Sequence, residues 1–187
     1  MMKRKFLLSV TALALCAALL AGCGGSSSST ASNAQSTAPA SSADAGSGAR
    51  TAENGTVDLD AIVSQLLETN PISNQFEIAA MNIEYDFGLA AEDVTAYKGV
   101  RSNDNGDAGL VLVIQPAAGK SEAICEQLQT YKQDQVAFYG NYPEFGQAQA
   151  NVQNAVIKGS DSLVVMVIAS NECDADLGPA VDAVFAQ

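Results

Sequence analysis

In the C-terminal half of this chain, two segments of five and six residues are apolar at every position, and they constrain the fold more than any other feature. Residues 110–114 read Leu-Val-Leu-Val-Ile, and residues 163–168 read Leu-Val-Val-Met-Val-Ile. Successive side chains of a strand point to opposite faces of its sheet, so a strand without polar positions usually has both faces covered. The sequence therefore predicts a sheet with a layer on each face. Either the first helix of the domain or a partner would supply the second layer.

Each apolar segment belongs to a predicted β-hairpin. Residues 95–103 and 108–114 flank a turn at residues 104–107, which reads Asp-Asn-Gly-Asp. Asn-Gly between extended segments is the strongest short hairpin signal, because both residues tolerate a positive φ. The second predicted hairpin joins residues 152–158 to residues 163–169.

Helical periodicity occurs in three places. Apolar residues recur at helical spacing over residues 59–67, behind a candidate N-cap at Asp58. A second helix is predicted over residues 121–138. A third covers residues 174–186, where Pro179 fits best in the first turn and moves the start to about residue 177. The segment between the first helix and the first hairpin is ambiguous, with a short helix predicted at residues 76–83.

These elements predict one small α+β domain over residues 57–187, in the order α-ββα-ββα. Two antiparallel hairpins form a four-stranded antiparallel sheet, and the helices pack on it. In this prediction the domain follows a signal peptide and a disordered linker.

The N-terminus has the pattern of a lipoprotein signal peptide. Residues 3–5 (Lys-Arg-Lys) precede an apolar stretch at residues 6–20, which is shorter than the roughly 20 apolar residues of a membrane span. Leu-Ala-Gly-Cys at residues 20–23 then resembles the bacterial lipobox. We expect cleavage after residue 22, a diacylglycerol on Cys23, and anchoring to the extracytoplasmic face of the cell membrane. An ordinary signal peptide that happens to contain Cys23 is the alternative.

A low-complexity tether follows the predicted lipid anchor. Residues 24–56 are mostly Ser, Ala, Gly, Thr and Asn, with hardly a large apolar side chain to offset chain entropy. A flexible linker of this length has a root-mean-square span of about 30 Å. The predicted organisation is therefore a signal peptide at residues 1–22, lipidated Cys23 with the linker to residue 56, and the globular domain at residues 57–187.

Charge and composition argue against several classes of protein. Removing residues 1–22 removes three of the nine Lys and Arg and none of the 21 Asp and Glu, so the predicted mature chain has a net charge of −15. This argues against nucleic-acid binding and against adhesion to anionic lipid. A solvated acidic surface explains the charge, and attraction of a cationic partner is the alternative. The absence of His removes Ser-His and Cys-His dyads and His metal sites, and we predict no catalytic site, cofactor or metal.

Two cysteines remain in the predicted domain, Cys125 and Cys173. Export would permit a disulfide between them. A bridge requires Cα atoms about 4.4–6.8 Å apart, which depends on the fold. Two separate buried or half-buried thiols are the alternative.

Two short motifs resemble ligand-binding loops. Gly119-Lys120-Ser121 precedes a helix as a phosphate-binding loop does, but the full pattern requires Gly where Ile114 stands, and Pro116 lacks a backbone donor. The Asp-Asn-Gly-Asp turn suggests Ca²⁺, yet an EF-hand register places Arg101 at the first ligand position. Ordinary turns are favoured at both places.

The only aromatic cluster in the sequence comprises Phe138, Tyr139, Tyr142 and Phe145, with Pro143 among them. It is a candidate docking patch for a partner or an apolar ligand. The alternative is a helix-to-strand connection packed on the core, because aromatic side chains most often serve burial.

Several short motifs resemble one protein family. They are Tyr85-Asp86-Phe87, Glu92-Asp93-Val94, Tyr142-Pro143-Glu144, the strand at residues 108–113, and residues 154–159 leading into Leu163-Val164-Val165. Over residues 60–187 the chain resembles the bacterial lipoprotein family called domain of unknown function 4358. The resemblance implies an exported α+β domain behind a lipobox and a low-complexity linker, in cells with one membrane, and it implies no activity. The chain departs from the family in having less charge in the helix after Pro116.

The expected function is that of a lipid-anchored extracytoplasmic protein whose domain is a non-enzymatic binding or interaction module. Its partner would be an unidentified envelope protein or ligand. A carboxylate-dependent envelope enzyme is one alternative, motivated by the surplus of Asp and Glu, although a solvated face or helix cap explains Asp86, Glu92 and Asp93 better. A small ligand-binding lipoprotein is the other alternative.

Overall fold

An antiparallel sheet of five strands organises the domain in the computed structural model, which describes residues 57–186. The predicted signal peptide, Cys23 and the linker lie outside the described residues. Two short 3-10 helices, Ala91–Asp93 and Pro143–Phe145, join the main elements. The helices and strands are α1 (Leu59–Thr69), β1 (Gln75–Glu77), α2 (Ala80–Tyr85), β2 (Val94–Ser102), β3 (Leu110–Pro116), α3 (Ser121–Gly140), α4 (Gly146–Gln153), β4 (Val156–Gly159), β5 (Val164–Ile168) and α5 (Leu177–Val184).

The α+β class is confirmed, but the prediction of four strands is wrong. The strand order is β1-β2-β3-β5-β4, and every neighbouring pair is antiparallel. The additional strand is β1, in which Gln75 pairs with Ser102 and Glu77 with Val100. All three of its side chains are exposed, so no alternation of buried and exposed residues marks it in the sequence.

Two other local predictions need correction. The helix expected at residues 76–83 is replaced by β1 and the shorter α2, which begins where the Asn82 Oδ1 accepts a hydrogen bond from the Ala79 backbone N–H at 2.8 Å. The strand expected at residues 152–158 begins only at Val156, because α4 extends to Gln153. Val152 is fully buried on that helix, and a short apolar run fits a strand equally well.

The two central strands are buried on both faces, as their composition predicts. Leu110, Leu112 and Ile114 of β3 pack into one hydrophobic cluster, whereas Val111 and Val113 pack into another on the opposite face. Alternate residues of β5 divide in the same way.

Helices of this chain cover both faces, which answers the question that the sequence left open. On the first face lie Ile83 of α2, Ile124 and Leu128 of α3, and Val152 of α4. On the second face lie side chains of α1 and α5, which are Ile62, Val63, Leu66, Leu177, Val181 and Val184. Helix α5 begins at Leu177, as predicted, with Asp176 as its N-cap. None of the helices described is long and apolar enough to cross a membrane.

The two hairpin turns lie at opposite ends of the sheet. Because β3 and β5 are antiparallel, Leu110 pairs with Ile168 and Ile114 with Val164. We call the end with the β2–β3 turn the cleft end. We call the end with the β4–β5 turn the entry end, because Val57, the first described residue, lines a pocket there together with Ser160, Leu163 and Phe185.

Candidate functional site

A cleft of about 400 Å³ opens at the cleft end, between the β2–β3 turn and the C-terminal half of α3. Arg101 of β2 and Leu110 of β3 line it, together with residues 102–109 between them. The remaining lining residues come from α3, the following 3-10 helix and the end of β5: Tyr131, Gln135, Phe138, Tyr139, Phe145 and Ile168.

The predicted aromatic cluster forms part of this site. The ring centroids of Phe138 and Tyr139 are 5.1 Å apart, those of Phe138 and Tyr142 5.5 Å, and those of Tyr142 and Phe145 5.4 Å. Tyr139 and Phe145 complete the set at 6.1 Å. Phe138 remains 50% exposed and Tyr142 42% exposed. Phe138, Tyr139 and Phe145 line the cleft, whereas Tyr142 does not. Large apolar groups at a polar rim are typical of binding surfaces.

The β2–β3 turn packs directly against this cluster. Gly106 has a φ of 77°, and a Cβ placed on it would lie 2.6 Å from the Cδ1 of Phe145. Glycine is therefore favoured at this position for two reasons. A residue with a Cβ would be strained in this backbone conformation, and its Cβ would clash with the Phe145 ring. The turn closes with a hydrogen bond from the Asp107 N–H to the Asp104 carbonyl at 3.2 Å.

Asp107 joins the turn to the loop that follows β5. Its Oδ1 accepts hydrogen bonds from the backbone N–H groups of Gly109 and Asn171, each at 3.0 Å. The side chain of Asn171 in turn donates to the Gly106 carbonyl at 3.0 Å. The hydroxyl of Tyr139 donates to the Asp107 carbonyl at 3.4 Å, which connects α3 to the same turn.

Buried polar side chains stabilise the same end of the sheet. Asn70, Asn151 and Ser170 are the buried polar residues of the described chain, at 0%, 8% and 1% exposure. Asn70 donates to the Ile168 carbonyl and accepts from the Ser170 N–H, both at 2.9 Å. Asn151 donates to the Ser170 carbonyl at 3.3 Å. Every buried side-chain nitrogen and oxygen of the described residues has a hydrogen-bond partner. The network therefore stabilises this end of the sheet and also fixes the relative positions of the loops that it joins.

The charged groups at the cleft are unevenly balanced. Arg101 makes an ion pair with Asp86 at 2.9 Å, and its guanidinium lies 5.0 Å from the centroid of the Phe76 ring. Asp104 accepts a hydrogen bond from the side chain of Asn74 at 2.8 Å. Together with Asp107, this places three carboxylates and one guanidinium in and around the cleft.

Burial controls the ionisation of two cleft tyrosines. It raises the pKa of Tyr131 to about 12, with Arg101 opposing the shift and Tyr139 and Asp86 adding to it. The pKa of Tyr139 is also raised, first by burial and then by the carboxylate of Asp107, against the influence of Arg101. Both phenols therefore stay protonated to a higher pH than a free tyrosine does, and the single O–H of Tyr139 is already donated to the Asp107 carbonyl.

The other sequence candidates lie elsewhere. Asp93 pairs with Lys120 at 2.8 Å, and Glu92 does not line the cleft, so the structure does not bring the three predicted carboxylates into one site. The partial phosphate-loop motif forms a turn, in which Gly119 has a φ of 75° and the Lys120 N–H donates to the Ala117 carbonyl at 3.0 Å. Among residues 57–186, no group of three or more His, Cys, Asp or Glu side chains is placed to hold a metal ion.

The two domain cysteines are separate free thiols. Cys125 packs against the α3 face of the sheet, and Cys173 packs against the α1 and α5 face. The disulfide that the sequence left open is therefore not formed, because the sheet lies between the two thiols. Burial raises the pKa of Cys125, and Glu122 adds to the shift.

The fold and the cleft define a small three-layer α+β domain with a candidate binding site at one end of its sheet. The family model described as Domain of unknown function (DUF4358) matches residues 69–169, more than half of the chain. The chain belongs to this family, so the family predicted from the sequence is confirmed over residues 69–169. The matched segment includes all five strands and every residue that lines the cleft. Comparison with curated proteins and with solved structures found no match.

Proposed function

We propose that this protein is a lipid-anchored extracytoplasmic binding module without enzymatic activity, and that it binds its partner at the cleft end. The pattern around Cys23 supports the anchor, and the composition of residues 24–56 supports a flexible tether. Val57 lies at the entry end, so a tether attached there leaves the opposite end of the sheet available to a partner.

One observation carries the binding function, namely the aromatic cluster beside the β2–β3 turn. Phe138 and Tyr142 stay about half exposed although they pack on other aromatic rings. The adjoining cleft, at about 400 Å³, falls within the range of about 300–1,000 Å³ that is usual for ligand sites, but so does the entry-end pocket at about 370 Å³, and the exposed rings are what distinguish the cleft end. A cluster that served burial alone would turn these rings inward.

Recovery of partners from native membranes tests the binding surface. The double variant Phe138→Ala/Tyr142→Ala removes the exposed rings, and Phe185→Ala removes one partly buried ring at the entry end as a control. After cross-linking in intact cells, we expect the wild type and the control to recover the same specific partners, and the double variant to lose them. Equal recovery by all three chains, or no specific partner for the wild type, would contradict the proposal.

Metabolic labelling with a fatty-acid probe tests the anchor separately. We expect the wild-type chain to take up the label and to sediment with membranes, and Cys23→Ala to do neither. Labelling that persists in Cys23→Ala would rule out lipidation at this residue.

The volume of the cleft also suits a second candidate function, that of a small ligand-binding lipoprotein. The two candidate functions differ in what occupies the cleft, a small molecule or a protein. A small molecule that copurifies with the chain and is released by denaturation would favour this second function, and a cross-linked protein at Phe138 would favour the first.

A further inference from the structure

We propose that the cleft end binds a basic polypeptide segment, with a Lys or Arg side chain of the partner placed between the aromatic cluster and the carboxylates of the β2–β3 turn. This inference rests on the proposed binding function and specifies the chemistry of the ligand.

Negative charge remains uncompensated at the cleft. Asp86 offsets the guanidinium of Arg101 in an ion pair at 2.9 Å. The partners of Asp104 and Asp107 are neutral amide and backbone N–H groups, which satisfy their oxygens without cancelling their charge. Two negative charges are therefore left beside the aromatic rings.

Carboxylates far outnumber the cations of the domain. Residues 57–186 contain nineteen of the 21 Asp and Glu, since only Asp44 and Glu53 precede them, but five of the nine Lys and Arg. Four of these five side chains form ion pairs, and Lys132 donates to the Ala155 carbonyl at 3.1 Å. Charge complementarity with a basic partner would steer its approach.

The aromatic surface of the cleft also favours a cation. The face of an aromatic ring attracts a Lys ammonium or an Arg guanidinium, so rings next to carboxylates favour an organic cation. The domain already contains such a contact between Arg101 and Phe76. The described residues offer no group of ligands for a metal ion.

The extent of the exposed surface favours a polypeptide over a small cation. The exposed ring of Tyr142, which contacts Phe138, extends the aromatic surface beyond the cleft lining. Arg101 of the cleft also contacts the exposed ring of Phe76. A segment with apolar residues next to its basic ones could cover this surface, whereas a small cation would fill the cleft alone.

Fluorescence anisotropy with labelled peptides tests the inference. The protein is the mature chain carrying Cys23→Ala, and the probes are a Gly-Ser-Leu peptide with spaced lysines, the same peptide with glutamates in their place, and spermine as a competitor. We expect the lysine peptide to bind, the glutamate peptide not to bind, and added salt to weaken binding. Spermine should compete only weakly.

Variants with opposite expected effects separate charge from structure. Asp104→Asn and Asp107→Asn keep the hydrogen-bond acceptors and should each weaken binding about threefold, whereas Arg101→Gln removes the only cation at the cleft and should strengthen it about threefold. Phe138→Leu should weaken binding by a similar factor because it removes the ring. Asp161→Asn, in the turn at the entry end, is the matched control and should change nothing.

Each contrary outcome has a definite meaning. Equal binding of the lysine and glutamate peptides, or equal effects of Asp104→Asn and Asp161→Asn, would overturn the basic-segment proposal and leave the binding module intact. Spermine binding as tight as that of the lysine peptide would overturn the polypeptide ligand. Failure of all probes would also overturn the inference, while partner recovery through Phe138 and Tyr142 would judge the binding function separately.

Discussion

The two ends of the sheet are built by different interactions. At the cleft end, the buried side chains of Asn70, Asn151 and Ser170 join loops that are far apart in the chain. At the entry end, apolar residues such as Leu163 and Val184 meet beside the start of α1. Apolar packing can stabilise either end of the sheet. A polar network whose hydrogen bonds are all formed also fixes the positions of the side chains and loops that take part in it. The polar network therefore favours a single geometry at the cleft end, which would suit the proposed binding surface.

The largest expected effect comes from removing the centre of the polar network. Asn70→Ala leaves the Ile168 carbonyl and the Ser170 N–H without their partner, and both groups are buried. We expect a loss of about 3 kcal/mol in the free energy of unfolding, measured by urea denaturation. Asn141→Ala is the control, because that side chain also donates to a carbonyl but is exposed, and it should cost no more than about 0.5 kcal/mol. Similar losses in the two variants would show that the network does not stabilise the cleft end.

The next effect concerns the pH dependence of stability. Because the pKa of Tyr131 rises from 10.0 to about 12 on folding, the unfolded chain releases this proton at lower pH than the native chain does. The neutral phenol therefore contributes about 2–3 kcal/mol to the free energy of unfolding below pH 10. This contribution is lost as the pH rises to about 12. Denaturation of the wild type and of Tyr131→Phe from pH 8 to pH 12 measures it.

We expect Tyr131→Phe to lose less stability than the wild type across this range, and Tyr85→Phe, whose parent side chain is 74% exposed, to follow the wild-type curve. Parallel curves for Tyr131→Phe and the wild type would contradict the role assigned to burial at the cleft.

A smaller effect distinguishes two glycines of similar conformation. Gly106 and Gly119 have φ values of 77° and 75°, so alanine is strained at both positions. A Cβ at Gly106 meets the Phe145 ring, whereas one at Gly119 meets nothing within 4 Å. We expect Gly106→Ala to lose about 1 kcal/mol more than Gly119→Ala, and to shift the ring resonances of Phe145. Equal losses would mean that the turn does not pack firmly on the aromatic cluster.

The smallest effect is expected from a reducing agent. Since Cys125 and Cys173 lie on opposite faces of the sheet, the melting temperature of the chain carrying Cys23→Ala should be the same with and without dithiothreitol. Assay of the denatured chain should find both thiols free. A melting temperature several degrees lower under reducing conditions would reveal a bridge and a different arrangement of the two faces.

The sequence predicts the parts of the fold that depend on local patterns. The Asn-Gly turn, the helix behind Asp58 and the two faces of β3 follow from short-range preferences and from alternation. Strand β1 is missed because pairing with β2 creates it, and α4 is missed because Val152 suits a buried strand as well as a buried helix.

The residues of the candidate site also divide into those that local sequence patterns predict and those that only the fold brings together. The aromatic cluster is visible in the sequence because its members are neighbours along the chain. Arg101 and Asn171 join it only through the fold, the latter by a contact with Asp107 across 64 positions. Spacing along a single chain contains no signal for such contacts. Tyr131, Gln135 and Phe138 are spaced at i, i+4 and i+7 along α3, and this spacing could have indicated that they share a face.

Site-specific photo-cross-linking in native membranes tests the central claim most directly. A photoreactive phenylalanine analogue replaces Phe138 at the cleft end in one chain and Ser162 at the entry end in another. We predict a discrete covalent product from position 138, weakened by Asp104→Asn, and none from position 162. A product from position 162 alone, or equal products from both positions, would contradict the assignment of the cleft end as the binding surface.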